Sequence, residues 1–375
     1  MSIQVDPRVP RFLTVSCLLL CGCGEHAEVP REELQALPRV APSPADNPLT
    51  TEKVELGRLL FWDPILSGHQ DVACGTCHHP DFGYGDGLDL SIGVGGSGLG
   101  PSRIPGREMP IVPRNAPTVL NTGFNGWVDA DAPPDPALAP MFWDNREVSL
   151  EAQALGPIRS DVEMRGDAYS EDEAVSRVVE RLAEVPEYVV LFAEAFEQDP
   201  SEAVSEENLA RAIAAFERHL SQPNSAYDRW LAGDDSALSG RQRRGLNAFH
   251  GLGCADCHLG PMFSDYEMHR IGVPEQPGTN DEGDGTGRFR TPTLRNIALT
   301  APYMHSGRIG GMNRAIEFYD EPEGRDLDPL VRGLDVERRD EKDLESFLRA
   351  LTDDFDREIP TRVPSGLPPG GEIAG

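Results

Sequence analysis

The chain has 375 residues, too many for one ordinary hydrophobic core, so two domains of about 150 residues each are expected. Hydrophobic residues make up only 39%, and Gly and Pro number 38 and 33, a loop-rich balance that stays below the roughly 25–30% Gly plus Pro of wholesale disorder. Acidic residues number 63 against 34 basic ones, a formal charge of −29, which excludes nucleic-acid binding by repulsion and suits a cationic partner.

Residues 1–23 read as a signal peptide of lipoprotein type. Arg8 and Arg11 precede an apolar run over 12–20, which has signal length and is too short to span a bilayer. Leu20-Cys21-Gly22-Cys23 resembles a lipobox, in which case a lipidated Cys23 is the sole attachment to a membrane. An ordinary cleaved signal near the same place is the alternative. Both readings put the mature protein outside the cytoplasm, in the periplasm or anchored at a membrane surface. The proline-bearing stretch 24–48 lacks apolar periodicity and reads as a flexible tether.

Helical spacing of Val54, Leu56, Leu59, Leu60 and Phe61 predicts a helix over 51–61. Residues 81–140 read mostly as turns, and the Gly-rich 93–100 shows no helical pattern. Ser170-x-x-Glu173 is a capping box opening a helix over 171–184, 206–220 is amphipathic, and Ser239-x-x-Gln242 opens 240–250. A last helix is expected over 338–352. Strand signals are few, so the fold is mostly α with long loops. An internal echo, Gly57-Arg58-Leu59-Leu60-Phe61 before Cys74 and Gly245-Leu246-Asn247-Ala248-Phe249 before Cys254, divides the chain into 49–200 and 201–360, with a tail over 361–375.

With Cys17, Cys21 and Cys23 assigned to the signal, four cysteines remain, as Cys74-Gly75-Thr76-Cys77-His78 and Cys254-Ala255-Asp256-Cys257-His258. Both are CxxCH, the spacing that lets two thiols bond the haem vinyl groups while the next imidazole reaches the iron. Disulfides, a thioredoxin-like site or a four-cysteine zinc site leave the histidine after each motif unexplained. Two covalent haem c groups are therefore expected, on His78 and His258, and a macrocycle in each half supplies apolar mass that the composition lacks. A second axial ligand makes an electron carrier, whereas a vacancy admits peroxide. Met262, Met268, Met304 and Met312 are methionines near the second motif, and spacing does not choose among them.

From about residue 49 to 352 the chain resembles the bacterial di-haem cytochrome c peroxidases, within them the MauG branch. Beyond the two CxxCH motifs, the likeness rests on Pro113-Arg114-Asn115-Ala116-Pro117-Thr118, Phe142-Trp143-Asp144, Gln153-Ala154-Leu155-Gly156-Pro157, and the run from Arg290-Thr291-Pro292 to Pro302-Tyr303-Met304-His305. It implies two cytochrome-c-like α domains, peroxidatic first and electron-transferring second. It also implies a calcium ion held by the Asn115 side chain and the Thr300 and Pro302 carbonyls, and Trp143 as a bridging aromatic between the haems. Core packing is the plain alternative for Trp143.

Two positions bear on the branch. Where the peroxidases carry a haem-capping histidine in Ser-Ile-Gly-His, this chain has Ser91-Ile92-Gly93-Val94, and valine cannot ligate iron, which implies an open first haem. At the family's axial-methionine position stands Tyr319, as in the MauG branch, with Met304 or Met312 as alternatives. Glu163 falls at the acid-base position, with Gln153 holding the distal hydrogen bonds and Pro157 shaping the pocket. The resemblance implies hydrogen peroxide as oxidant and one of two uses for it: MauG-like oxidation of residues in a partner protein through high-valent iron, or detoxification fed by a small cytochrome c or cupredoxin. A non-enzymatic di-haem carrier is the third reading. MauG has tryptophan two residues before its second motif, whereas this chain has Leu252, which points to a different protein substrate.

Overall fold

Glycine decides how each half packs. The computed structural model describes residues 26–107, 110–129, 131–221, 223–331 and 334–371; the signal and lipid-attachment readings of 1–23 lie outside them. Helix α1 (Thr51–Trp62) is capped by Thr50, whose side chain accepts from the Lys53 N–H. The four-residue α2 (Cys74–Cys77) carries the first haem motif. Next come α3 (Leu150–Arg159), α4 (Ala174–Ala183), α5 (Pro186–Phe196), α6 (Pro200–Ala203) and α7 (Glu206–His219). The second half holds α8 (Ala226–Leu231), α9 (Gly240–Gly251), α10 (Met312–Phe318) and α11 (Arg338–Arg349). At Gly57 a Cβ would overlap the Ala212 carbonyl of α7 and crowd the Phe216 Cβ. At Gly245 it would do the same to Asp343 and Phe347 of α11. Each half is thus an early helix crossing a late one at glycine contact, and the echo extends to aromatic pairs, Phe61–Phe216 at 5.1 Å and Phe249–Phe347 at 5.5 Å.

This crossing moves the division expected at residue 200. Leu209, Ala212 and Ile213 of α7 share one core with Leu56 and Leu60 of α1, and Phe216 and Leu220 pack with Phe61. The first half therefore closes at Leu220.

Both flanking segments are docked. Within the expected tether, Leu37 and Ala41 are buried with Phe124 and Trp127. Arg31 pairs with Asp235 at 2.5 Å and lies over the Trp230 ring at 4.3 Å, and the Val29 N–H donates to Asn247 Oδ1 at 3.0 Å. The strap is held by long-range partners that no local pattern signals. The expected tail also returns to the first half. Val363 is 1% exposed beside Phe61 and Trp62. The Gly370 N–H donates to the Trp62 carbonyl at 2.7 Å, and Thr76, inside the first CxxCH, donates to the Gly370 carbonyl at 2.6 Å.

The amphipathic helices appear as expected, and Ser239 and Gln242 form their capping box on α9. Ser170 and Glu173 do not: the Ser170 hydroxyl donates to the Glu173 carboxylate at 2.6 Å, a 3₁₀ turn fills Glu171–Glu173, and α4 begins at Ala174. The long loops are ordered by buried arginines. Arg103, 4% exposed, donates to the carbonyls of Ile92, Gly98 and Gly93 at 2.7, 2.9 and 2.8 Å. Arg295 holds Pro261 and makes a two-pronged pair with Asp228 at 2.8 and 2.9 Å.

Removing residues 361–375 takes out the Val363 and Leu367 contacts with the first half. The truncated chain should lose roughly 2–4 kcal/mol, read as a lower urea midpoint followed by circular dichroism.

Candidate functional site: two haem cavities sharing a wall

Two short antiparallel strand pairs build the ground between the halves. Strands β1 (Pro140–Met141) and β2 (Glu147–Val148) pair antiparallel and present Phe142 and Trp143 on their turn. Strands β3 (Met268–His269) and β4 (Phe289–Arg290) do the same in the second half. Arg290 joins them: its N–H donates to the Trp143 carbonyl at 2.7 Å and its Nε to the Phe142 carbonyl at 2.8 Å. The Trp143 indole N–H donates to the Asn115 carbonyl at 3.0 Å, so the ring is held from both sides.

The first cavity, about 690 Å³, is lined by Cys74, Cys77 and His78 together with Gln153, Pro157, Glu163, Trp143 and Asn115. The second, about 490 Å³, is lined by Cys254, Cys257, His258, Tyr319, Met304 and Met312, and also by Trp143, Asn115, Thr300 and Pro302. Trp143 and Asn115 thus wall both spaces. Met262 packs in a separate apolar cluster, and Met268 lies on β3.

Each motif histidine is oriented in the same way. His78 Nδ1 lies 3.1 Å from the Tyr84 carbonyl and His258 Nδ1 lies 2.9 Å from the Phe263 carbonyl, which puts the proton on Nδ1 and leaves Nε2 free to ligate. Burial holds both imidazoles below their ordinary pKa, in the neutral form a metal needs. The Cys74 and Cys254 thiols are pushed up to about 12 by burial, so neither is a ready thiolate. Paired thiols, a neutral ring nitrogen and an apolar-walled space of this size fit a covalent haem in each cavity.

Among the described residues lining the first cavity, His78 is the only histidine. Val94 turns away: its N–H donates to the Glu163 carbonyl at 2.8 Å, its side chain sits in the protein core at 2% exposure, and Ser91 is the member of its segment that reaches the cavity. Glu163 is raised above its ordinary pKa by burial, with Arg146 and a Ser160 hydrogen bond opposing. Gln153 Oε1 is buried without a partner, an acceptor left for whatever occupies the cavity. Both residues are brought together by α3, a helix for which the sequence reading names no element, and by the turn that follows it.

At the second cavity, Tyr319 follows α10, and its phenol is pushed well up, first by burial and then by Cys254 and Cys257. A phenolate here therefore requires a cation against it. Several residues went unsignalled in the sequence. Arg114 is clamped by Asp144 at 2.7 Å and by Asp281 at 2.5 and 2.9 Å. His305 stacks on Phe289 at 3.5 Å and pairs with Glu275 at 2.7 Å. His269, between Asp265 at 2.9 Å and Asp328 at 2.7 Å, is raised to about 11, chiefly by Asp265, and belongs to an ion-pair cluster beside Cys257. Glu217 lines the first cavity and has no counterpart in the motif reading.

Residues 51–236 match the di-haem cytochrome c peroxidase family. The methylamine utilization protein MauG of Methylorubrum extorquens is 34% identical over 346 residues, covering 87% of each chain. The chain belongs to the di-haem cytochrome c peroxidase and MauG family. It is a MauG-like di-haem peroxidase carrying two haem c groups. A cytochrome c551 peroxidase of Pseudomonas aeruginosa is 35% identical over 297 residues, with 75% of this chain and 76% of that protein covered, so overall identity does not separate the two branches. A solved structure described as a MauG-like protein associated with microbial copper homeostasis superposes with a TM-score of 0.68 at 29% identity, covering 85% of this peroxidase and 95% of its own chain. The di-haem peroxidase BthA of Burkholderia thailandensis, at 21% identity and a TM-score of 0.63, shares the fold. Among the described residues no helix is long and apolar enough to cross a membrane.

Proposed function

We propose that this enzyme reduces hydrogen peroxide at the first haem and passes the oxidising equivalents by way of Trp143 and the second haem to a residue of a partner protein. That, among the described residues, the first cavity is walled by no histidine but His78 carries this reading. When bound, the haem irons supply the redox chemistry of peroxide cleavage. Glu163, as carboxylate, takes the proton from the near peroxide oxygen and returns it to the far one. Gln153 Oε1, buried without a partner, would accept from the peroxide O–H, and Pro157, inside α3 and on the cavity wall, would shape the pocket.

Tyr319 would hold the second haem iron together with His258, a reading supported by both residues lining the second cavity and by the nearness of Tyr319 to Cys254 and Cys257. A phenolate offsets iron charge that a thioether leaves uncompensated, which favours the oxidised forms. Calcium is the further ligand proposed between the halves. Asn115 spends its Nδ2 on the Leu88 carbonyl at 2.8 Å, keeping Oδ1 for a hard cation, and Thr300 and Pro302 line the same cavity. The enzyme is proposed to work in the periplasm, held by a lipid on Cys23. Leu252, packed on the second core, replaces the tryptophan of MauG, so the protein substrate differs from that of MauG. Detoxification with a small basic cytochrome c or cupredoxin is the second reading, favoured by the charge of −29.

Stoichiometric peroxide should produce a long-lived spectral change that reduced cytochrome c discharges slowly; rapid turnover with the donor instead supports detoxification. Glu163→Gln should slow the first reaction with peroxide by about 10²–10⁴. In the wild type that rate should rise with pH through a midpoint above 4.5, because burial raises the Glu163 pKa and the base form is present only above it. Tyr319→Met should raise the second-haem potential, and an unchanged potential removes Tyr319 as ligand.

A further inference from the structure

The two helix crosses allow one haem site to be compared with the other inside a single chain. Phe216 on α7 and Phe347 on α11 occupy equivalent places, each with its Cβ against the glycine of the opposing helix. The residues that follow them are therefore equivalent too. After Phe347 comes Leu348, which lines the second cavity and packs in its apolar core. After Phe216 comes Glu217, which lines the first cavity. The crossing needs no carboxyl here, since the second half makes the same contact with leucine.

Glu217 is 4% exposed, and among the described residues no hydrogen bond or ion pair reaches its carboxyl. Its neighbours are committed elsewhere. Arg218 turns to Glu151 on α3, with bonds of 2.6 and 2.8 Å. Lys53 on α1 donates to Asn47 and to the Pro48 carbonyl at 3.1 and 3.2 Å. From α4 the shared core receives only apolar side chains. Across the cavity stand Glu163 and Arg146, the latter paired with Asp144 at 2.9 Å. Burial pushes Glu217 up to about 8, with Arg218 drawing it down and Glu151 adding to the rise. A buried carboxyl without a partner is costly as an anion, so its protonation follows whatever charge the cavity holds.

We propose that Glu217 is a redox-linked proton site of the first haem, taking up one proton when an electron enters that haem and releasing it on oxidation. The electron comes from an external one-electron reductant and the proton from solvent. An O–H bond forms on a Glu217 oxygen, no other bond changes, and the charge enclosed by the cavity stays constant. Oxidation reverses both transfers. The inference rests on the first cavity holding a haem, and it does not depend on which substrate the enzyme serves.

The test is a spectroelectrochemical titration of the di-haem protein without peroxide, across about two pH units either side of 8. The wild-type first-haem potential should fall with pH towards a tenfold change in reduction equilibrium per unit, about 59 mV for a one-electron couple. Glu217→Gln, and Glu217→Leu copying the second half, should flatten that slope, while Glu163→Gln keeps it. The second-haem spectrum reports that each variant has folded. Infrared redox-difference spectra should show a protonated-carboxyl band that appears on reduction and is lost in Glu217→Gln. A slope that survives both Glu217 substitutions, one that vanishes in Glu163→Gln instead, or a carboxyl band that persists in Glu217→Gln overturns the proposal.

Discussion

Arg290 fixes how the two halves face each other. Its backbone N–H and its guanidinium hold successive carbonyls, Trp143 and Phe142, at 2.7 and 2.8 Å, and the arginine itself is 8% exposed. Because those carbonyls belong to the turn of the first strand pair while Arg290 ends the second, the bonds set the position of the Trp143 ring relative to both cavities. Asn115 follows, since it receives the indole N–H and takes its own backbone bond to the His305 carbonyl at 2.7 Å. One wall is then shared by the two cavities.

The two sites begin from the same plan and are made different by a few side chains. Both use a glycine-crossed helix pair and a backbone carbonyl that leaves the histidine Nε2 free. The first cavity gathers carboxyls, Glu163 and Glu217, and an unpaired amide oxygen on Gln153. The second gathers Tyr319, Met304, Met312 and the leucines of α11. The low hydrophobic content fits the same plan, because each core is built around space for a macrocycle instead of being filled by side chains.

Sequence reasoning reaches furthest where the determinant is local. The CxxCH motifs, the amphipathic faces of α7 and α11, and the Ser239 cap of α9 are all set within a turn or two of chain, and they appear at the expected places. It falls short at α3, where no helix is expected and Gly156 and Pro157 lie inside the element, and where Ser170 has two partners within reach and its hydroxyl takes the carboxylate. The docked strap and the returning C-terminus carry no periodicity at all. Their partners, Trp230 and Asp235 for Arg31, and Trp62 and Thr76 for Gly370, lie far away in the chain.

The sequence alone determined the covalent chemistry, since thiol spacing and the adjacent imidazole are properties of five consecutive residues, and it determined the doubling of that chemistry through the echo of Gly57 and Phe61 in Gly245 and Phe249. Tertiary structure alone decided what surrounds each motif: Val94 in the core instead of the cavity, Trp143 on two walls at once, and Glu217 where the other half has Leu348. The physical reason is that a residue's ligand-binding or proton-holding role depends on burial and on which charges are already paired. Those are sums over neighbours brought together by the helix crossing, and no stretch of chain contains them.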